Sequence, residues 1–218
     1  MIWDQAFALS IIPKLLQGLR VTVEITLLGF AIAAVLGLAV AIVRRIRVPV
    51  VARLFDFYVL FIRGTPLLVQ AYTAFFVLPD LGIRFSALTT GIVIMGVNYS
   101  AYCAEVYRAG IEDVPPGQWE AATALSLPGT TTWGRVVLPQ AVRSVVPVLG
   151  NYLVQMFKDS AVLSAITVFE LLNAAQSIGS SNFRYLEPLT LAGLLFFLVS
   201  FPASYLFRTL ERRLAPAR

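Results

Sequence analysis

Histidine is absent from the 218-residue sequence, and cysteine occurs once, as Cys103. Without histidine the chain has no His-ligated metal site and no His-dependent catalytic triad, and a single cysteine excludes a disulfide within the chain. Charged residues are also scarce, at 13%, whereas a soluble domain carries about a quarter. Because 58% of the residues are hydrophobic, we expect an integral membrane protein built as one compact bundle, a single domain over residues 1–218.

Lysine is nearly absent too, and neither Lys14 nor Lys158 follows a glycine. A phosphate loop of the form GxxxxGK followed by Ser or Thr is therefore excluded, so the chain does not bind ATP by that device. The net charge of +5 would suit nucleic acid, but the basic residues lie at the ends of apolar stretches, where membrane topology explains them. We expect no nucleic-acid partner.

Five apolar stretches are long enough to cross a hydrocarbon core of about 30 Å as helices. The predicted spans are residues 19–43, 57–78, 86–107, 145–165 and 189–206. Residues 1–17 are amphipathic and predict either a helix lying in the membrane interface or a frayed terminus. Residues 167–188 predict an outer segment with a short helix near Leu171 and a loop at 179–182.

Basic residues cluster on one side of these spans. Eleven of the 17 fall in segments that this arrangement places inside: Arg44, Arg45, Arg47, Arg53, Arg108, Arg135, Arg143, Arg208, Arg212, Arg213 and Arg218. Because cytoplasmic loops carry the excess of arginine and lysine, the N-terminus is predicted outside and the C-terminus in the cytoplasm. The fold class is therefore an all-α integral membrane protein with five transmembrane helices.

The first two spans carry packing signals. Small residues at four-residue spacing predict the close approach of another helix to the first span, at Gly29, Ala33, Gly37 and Ala41. Pro66 predicts a kink in the second span. Arg63, in the same stretch, either pairs with Asp56 or acts at an inner gate.

Polar residues inside the later spans are candidates for a solute pathway. Polar groups at membrane depth are costly unless they meet water or a partner, so each is either a pathway residue or an interhelical hydrogen-bonding group. Glu105 could instead pair with Arg108, and Lys158 with Asp159 in an ion pair. The pathway candidates are Gln70, Asn98, Tyr99, Tyr102, Glu105, Asn151, Gln155 and Lys158.

Residues 117–139 are a mixed polar and apolar segment in an otherwise strongly hydrophobic sequence, and we call this segment the elbow. It lies within the predicted cytoplasmic loop 108–143. Helical spacing predicts a first short helix over 118–125, and Pro128-Gly129 predicts a bend. Thr130 is predicted to cap a second short helix that stops at Pro139. Because the apolar faces of these helices have no soluble domain to pack on, the elbow needs a partner or the membrane interface.

The elbow resembles the EAA loop of permease subunits of ATP-binding-cassette importers. The matching residues are Glu120-Ala121-Ala122 and Leu138-Pro139, with Ser126 where the family usually has glycine. Four ordered blocks resemble the polar amino-acid uptake branch: RGTPLLVQ, SAYCAEVYRAGI, VPPGQWEAA and the stretch from LPQA to LGN. FVLPDLGI and FRYLEPLTLAGL are similar to permeases for ectoine and hydroxyectoine.

The resemblance implies a multi-pass permease of the bacterial inner membrane that is not itself an enzyme. It implies a separate ATPase subunit carrying ATP and Mg, a second permease subunit, a solute-binding protein on the outer side and a small polar solute, with no cofactor on this chain. The ATPase-coupling residues would be Gly117, Trp119, Glu120, Ala121, Ala122, Ser126, Leu138 and Pro139. Two other readings remain: an ion-coupled secondary transporter and a membrane scaffold protein.

Overall fold

The structure is a computed structural model that describes residues 3–46 and 48–214. Within those residues the chain forms nine α-helices: α1 Gln5–Val43, α2 Pro49–Gly64, α3 Leu67–Tyr72, α4 Ala87–Glu112, α5 Pro116–Ala124, α6 Gly129–Thr131, α7 Leu138–Asp159, α8 Leu171–Asn182 and α9 Leu186–Leu214. Four shorter helical segments extend them: the π-turns Thr73–Val77 and Thr132–Val137 and the 3₁₀ turns Leu78–Leu81 and Ser160–Ile166. The inner charges predicted at Arg47 and Arg218 lie outside the described residues.

The first helix is longer than the predicted span. α1 has 39 residues, which rise about 58 Å at about 1.5 Å each and exceed a hydrocarbon core of about 30 Å. The interfacial helix predicted over residues 1–17 is wrong for the described part of that segment, because residues 5–17 continue into the first span as one helix. Ile11 and Leu15 are buried there against Leu171 and Ala174 of α8.

The small-residue stripe of α1 packs against α4, as predicted. A methyl group on Gly37 would lie 2.6 Å from Cβ of Cys103 and 2.8 Å from the carbonyl oxygen of Ser100. A methyl group on Gly29 would lie 3.3 Å from the carbonyl oxygen of Ile92. The two backbones therefore approach at a distance that only residues without side chains allow at these positions.

The second predicted span, 57–78, is broken and not kinked. The axes of α2 and of the helical segment 67–81 differ by 103° across Thr65 and Pro66. Pro66 has no N–H to continue the hydrogen-bond ladder. The Gln70 side chain compensates, because its Nε2 donates to the carbonyl oxygen of Ile62 at 2.9 Å and to Oγ1 of Thr65 at 2.6 Å.

Within the part of the chain that the structure describes, three helices are long and apolar enough to span a membrane: α1, α4 and α9. Two bent pairs of helices raise the number to five if each pair makes one crossing. α4 covers the third predicted span and begins after Ser86, whose Oγ caps the helix by accepting from the Thr89 amide at 3.1 Å. The helix of the fourth span starts seven residues before its predicted beginning, at Leu138.

The outer segment contains α8, which confirms a helix near Leu171. The loop predicted at 179–182 is wrong, because those residues form the last turn of that helix. The buried carboxylate of Glu170 caps the helix by accepting from the amides of Leu172 at 2.9 Å and Asn173 at 2.6 Å. Phe183 ends it with a left-handed φ of 53°.

Ion pairs hold the helices together at one end of the bundle. Arg44, which follows α1, contacts Asp56 of α2 at 2.6 Å and also pairs with Glu105 of α4. Glu105 pairs with Arg108 at 2.7 Å, as one of the two predicted readings had it. The alternative pairing of Arg63 with Asp56 is wrong, because Arg44 takes that carboxylate.

Candidate functional site

A polar cavity of about 480 Å³ lies beside the middle of α4. The break between α2 and α3 forms one wall, the midpoint of α4 a second, and the last turns of α7 a third. The lining residues are Arg63, Gly64, Thr65, Pro66, Leu67, Asn98, Tyr99, Tyr102, Tyr152, Gln155 and Asp159. A cavity of this size suits a small organic solute.

Three tyrosines form an aromatic cluster on the wall of this cavity. The ring centroids of Tyr99 and Tyr102 are 5.8 Å apart, those of Tyr99 and Tyr152 are 6.2 Å apart, and those of Tyr102 and Tyr152 are 5.7 Å apart. These spacings are typical of tilted and edge-to-face aromatic pairs. The cluster joins α4 to α7, so the wall is a packed surface and not a set of loose side chains.

A carboxylate at the end of α7 completes the cavity. Asp159 accepts from the Tyr99 hydroxyl at 2.6 Å and from Nε2 of Gln155 at 2.9 Å. The alternative ion pair with Lys158 is wrong, since no contact within 4 Å joins these two described residues. The four-residue spacing from Gln155 to Asp159 was the available signal that both share a helix face.

Arg63 is the one arginine among the described residues that line the cavity. Its central carbon lies 5.3 Å from the centroid of the Tyr102 ring, in cation–π geometry. Arg63 also lines a neighbouring cleft of about 400 Å³ with Glu105 and Arg108. The cavity and the cleft therefore meet at this side chain.

Four of the predicted pathway residues reach the cavity wall: Asn98, Tyr99, Tyr102 and Gln155. Gln70 lies behind it and accepts from Nδ2 of Asn98 at 3.1 Å. Glu105 belongs to the ion-pair network, while Asn151 and Lys158 are exposed; within the described residues none of these four lines the cavity. Sequence reasoning did not place Tyr152 and Asp159 among the pathway candidates.

The elbow has the predicted first helix and bend but a different second half. α5 covers Pro116–Ala124, whereas the second helix does not stop at Pro139. It runs from Gly129 through a π-turn into α7, and Pro139 lies directly after that π-turn, where the regular α-helical hydrogen-bond ladder is already interrupted. Thr130 is not a cap, because the position before the helix is Pro128.

One face of the elbow packs against the rest of the protein. Ala122 is buried, and Val114, Val137 and Ala141 form an apolar cluster nearby. The rings of Trp119 and Trp133 meet edge to face with centroids 5.3 Å apart. The guanidinium of Arg45, after α1, lies 5.2 Å from the Trp133 ring centroid, so the elbow also contacts the end of α1.

The other face of the elbow is open. Leu125, which follows α5, is 72% exposed. The remaining predicted coupling residues are exposed as well: Gly117, Glu120, Ala121, Ser126, Leu138 and Pro139. The elbow thus exposes an apolar side chain, Leu125, and an acidic one, Glu120.

Ser126 shapes the bend after α5. Its φ of 51° is left-handed, and the amides of Ser126 and Leu127 donate to the carbonyls of Thr123 at 2.9 Å and Ala122 at 3.0 Å. This pair of bonds is a Schellman motif, which usually has glycine at the left-handed position. Glycine would adopt this left-handed conformation without the steric cost of a Cβ.

No group of three metal-ligating side chains occurs within residues 3–46 and 48–214. The polar cavity and the open elbow therefore offer binding and contact surfaces, with no metal centre between them in that part of the chain. An all-helical membrane bundle with these two features defines the class of solute permeases.

The family follows from comparison with known proteins. Residues 33–216 match the family described as binding-protein-dependent transport system inner membrane component, and the chain belongs to that family. It is 46% identical over 214 residues to a probable amino-acid ABC transporter permease protein of Sinorhizobium fredii, covering 96% of this chain and 93% of that one. It is 32% identical to the arginine transport system permease protein ArtQ of Bacillus subtilis, with 93% of both chains covered.

Solved structures agree with this assignment. A crystal structure of an amino acid ABC transporter with histidines has a TM-score of 0.93 and 34% identity, covering 98% of this chain and 100% of that chain. The MetNI methionine ABC transporter shares the fold, with a TM-score of 0.77 at 18% identity, covering 93% of this chain and 97% of that chain. The predicted resemblance to importer permeases, the helical membrane fold and the inner-membrane location are confirmed.

Proposed function

We propose that this chain is the membrane-spanning subunit of an ATP-driven importer for polar amino acids or a related zwitterion. The proposal rests on the elbow, in which Ala122 is buried while Leu125 and Glu120 are exposed. Such a surface fits the groove of a partner protein as a helix-in-groove contact. A separate ATPase subunit, which holds ATP and Mg, is the partner that an importer needs there.

The topology is that of five crossings, with the N-terminus outside and the C-terminus in the cytoplasm. Each bent helix pair counts as one crossing, and arginines follow α1 and occupy the last turn of α9. This arrangement puts the elbow and the ion-pair network of Arg44 on the cytoplasmic side. The solute-binding protein then meets the opposite side, which includes α8.

A second permease subunit, the same chain or a related one, covers the open side of the cavity. Arg63, Pro66 and Gln155 are exposed there, beside the midpoint of a spanning helix. Polar groups at such depth face water or protein and not lipid. Two bundles that rock against each other around a shared aqueous path would expose the cavity to each side in turn.

The solute is a small zwitterion. Relatives are named for amino acids, arginine and L-cystine, and the cavity offers opposite charges with amide and phenol groups. Ectoine and hydroxyectoine, suggested by the resemblance of the sequence, fit the same description. The chain itself needs no cofactor and carries out no catalysis.

The test is solute-stimulated ATPase activity of the complex reconstituted with its ATPase and binding protein. L-arginine, L-glutamine, L-cystine, ectoine and hydroxyectoine are compared as solutes. Stimulation by one of these identifies the solute, and Glu120→Ala and Leu125→Ser are expected to reduce it severalfold. The matched control is Arg53→Ala, an exposed residue on α2 outside the elbow, which should keep full stimulation. Failure of any ATPase to associate with the wild-type chain would sink the importer proposal.

A further inference from the structure

We infer that a groove between α1, α7 and α9 holds an acyl chain of an inner-leaflet aminophospholipid, with its headgroup between Arg143 and Glu211. The phosphate meets the guanidinium of Arg143, and the primary ammonium meets the carboxylate of Glu211. This lipid site is separate from the polar cavity and does not depend on the solute. It takes the cytoplasmic position of the last turn of α9 from the proposed topology.

The groove is apolar and has a volume of about 140 Å³. Two of its ten lining residues carry hydroxyl groups, and the Thr26 hydroxyl is already used, because it donates to the carbonyl oxygen of Thr22 at 2.7 Å. A lining of this kind suits a hydrocarbon chain and not a polar ligand. The lining residues are Val23, Thr26, Leu27, Leu153, Val154, Phe157, Val199, Ser200, Ala203 and Phe207.

The groove and the polar cavity lie on different faces of α7. Each residue of an α-helix turns the chain by about 100°, so Gln155 of the cavity points about 100° away from Val154 of the groove and about 160° away from Phe157. A second permease subunit over the cavity therefore leaves the groove facing the bilayer. α9, which forms one wall, also exposes Leu198 and Phe201. An unfilled groove beside lipid loses the dispersion contacts that an acyl chain supplies.

α7 and α9 are antiparallel neighbours along this groove. A methyl group on Gly150 would lie 2.1 Å from Cδ1 of Phe207, so these two residues pack together at one level. The rings of Phe157 and Phe196 meet at a second level, with centroids 5.4 Å apart. Because the residue numbers rise along α7 and fall along α9 between these contacts, the helix ends beyond Gly150 and Phe207 lie on the same side of the membrane.

A charged residue of each sign lies at this end of the groove. Arg143 is about two turns before Gly150, on the same face of α7. Glu211 is about one turn after Phe207, on the same face of α9. The two side chains therefore project from the sides of α7 and α9 that line the groove, beyond its apolar part.

Both charges are available at the depth of the lipid headgroups. Arg143 and Glu211 are exposed, and among the described residues no ion pair uses either of them. Ser144, next to Arg143, donates to Asp113 at 2.8 Å, directly after the last residue of α4. Arg143 is thus level with the end of a spanning helix, where basic side chains bind phospholipid headgroups. A cation and an anion at this depth suit a headgroup that carries both charges.

The acid selects among phospholipids. With about 100° per residue, Glu211 is about 40° from Phe207 around α9, whereas Arg208 is about 100° and Arg212 about 140° away. Glu211 is therefore better directed toward the groove than either arginine, and an anionic headgroup would meet it with a like charge. A primary ammonium offers three N–H donors to the carboxylate, and a choline headgroup offers none.

The experiment is native mass spectrometry of the full chain, purified in detergent in the assembly that it forms. The probes are phosphatidylethanolamine, phosphatidylcholine and phosphatidylglycerol with identical acyl chains. The wild type should bind phosphatidylethanolamine at least about threefold more tightly than the other two, as expected for a charge pair near the surface. Glu211→Gln should abolish this preference, and Glu211→Lys should turn it in favour of phosphatidylglycerol.

Further variants separate the headgroup contact from the groove. Arg143→Gln should weaken the binding of all three lipids, because each has a phosphate. Ala203→Leu, which fills the groove, should do the same by excluding the acyl chain. Arg212→Gln is the matched control, because it removes a charge beside Glu211 on another face of α9 and should keep the wild-type preference.

The inference is overturned if the wild type retains none of the three lipids, binds them equally or prefers phosphatidylglycerol, or if Glu211→Gln keeps the wild-type preference. It is also overturned if Ala203→Leu changes the number of permease chains in the assembly and not the bound lipid, which would make the groove a contact between copies. Because the measurement uses neither solute nor ATP, its outcome is independent of ATPase stimulation, which tests the proposed function.

Discussion

At the scale of single residues, Ser126 occupies a backbone conformation that glycine adopts more easily. The left-handed φ of Ser126 costs a residue with a Cβ about 1–2 kcal/mol of folding free energy. Glycine avoids that cost, but its greater conformational freedom in the unfolded chain lowers folded stability by about 0.4–1 kcal/mol. Ser126→Gly should therefore stabilise the bend of the elbow by about 0.5–1 kcal/mol. Hydrogen exchange at the Ser126 and Leu127 amides, which bond back into α5, should slow about two- to fivefold.

Ser126→Ala is the matched control, because it removes the hydroxyl and keeps the Cβ. Its exchange rates should equal those of the wild type, while Ser126→Val should exchange faster. Equal protection in the glycine and serine forms would show that the left-handed position carries no cost here.

Asp4 links the start of the chain to the turn before α9 and should make this end sensitive to acid. Its carboxylate accepts from the Phe7 amide at 3.1 Å and from Arg184 at 3.2 Å, and these two bonds, in that order, hold its pKa below the usual 3.8. A pKa lowered in the folded state gives stability that is complete above the unfolded pKa and is lost as the pH falls through the folded pKa.

The expected outcome is loosening of the first turn of α1 at pH values below about 3.8, with no change above that range. Fluorescence of Trp3, adjacent to this cap, should report it. Asp4→Asn should flatten the pH response, since the amide does not titrate. A transition of equal size in Asp4→Asn would assign the effect to another group.

At the scale of helices, the contact of α1 with α4 tolerates no added volume. Gly37→Ala should lower stability by about 1–3 kcal/mol, because the new methyl group meets Cβ of Cys103 and the carbonyl of Ser100. Gly193→Ala on α9 is the matched control, with no atom within 4 Å of the added methyl group. That variant should be neutral or more stable by up to about 1 kcal/mol.

Heat denaturation of the purified protein in detergent measures both variants. The Gly37 variant should melt several degrees below the wild type and the Gly193 variant at or above it. Equal midpoints for the two would mean that α1 shifts to accommodate the methyl group.

Much of the helical plan could be predicted from the sequence because its signals are local. Ser86 caps α4 where an apolar stretch begins, and the glycine stripe of α1 indicates its own packing face. Helical spacing on α4 and α7 pointed to three of the residues that line the cavity: Asn98, Tyr102 and Gln155. Pro128-Gly129 predicted a bend in the elbow, and the chain does turn just before it, at Ser126.

The remaining features depend on contacts that one sequence does not display. Pro139 was predicted to end the second helix of the elbow, but the helical run passes through it, because the preceding π-turn already departs from the regular α-helical hydrogen-bond ladder. The sequence suggested an ion pair between Asp159 and its neighbour Lys158. The Asp159 carboxylate instead accepts hydrogen bonds from Gln155 on the same helix and from Tyr99 on another. The break of 103° at Pro66 is larger than the predicted proline kink. It is tolerated because the Gln70 side chain donates to the Ile62 carbonyl, which the break leaves without its helical partner.

At the scale of the whole molecule, the open side of the cavity should be wet while other exposed surfaces are not. Gln155→Cys places a thiol on the cavity wall, and Leu60→Cys places one on α2 at a position that is 72% exposed. A membrane-impermeant maleimide applied to the complex in vesicles should label the first and not the second. Cys103 is buried and should give no background.

Mass spectrometry of the labelled chain measures the outcome. Val35→Cys on α1, also 72% exposed, is a second surface control and should stay unlabelled. Labelling of all three thiols alike would mean that the cavity is no wetter than the outer surface, against a shared aqueous path.

The π-turn at Thr132–Val137 has a consequence for the angle between the two functional parts of the molecule. Gly129 begins one helical run that passes through the π-turn and continues through Asp159 to Ile166. Each residue of an α-helix turns the chain by about 100°, and a π-turn winds more residues into a turn. Removing one residue there would rotate the start of this run relative to α7 by roughly 100° and displace Trp133 from its contacts with Trp119 and Arg45. The extra residue of the π-turn therefore helps to set the direction of the elbow relative to the cavity.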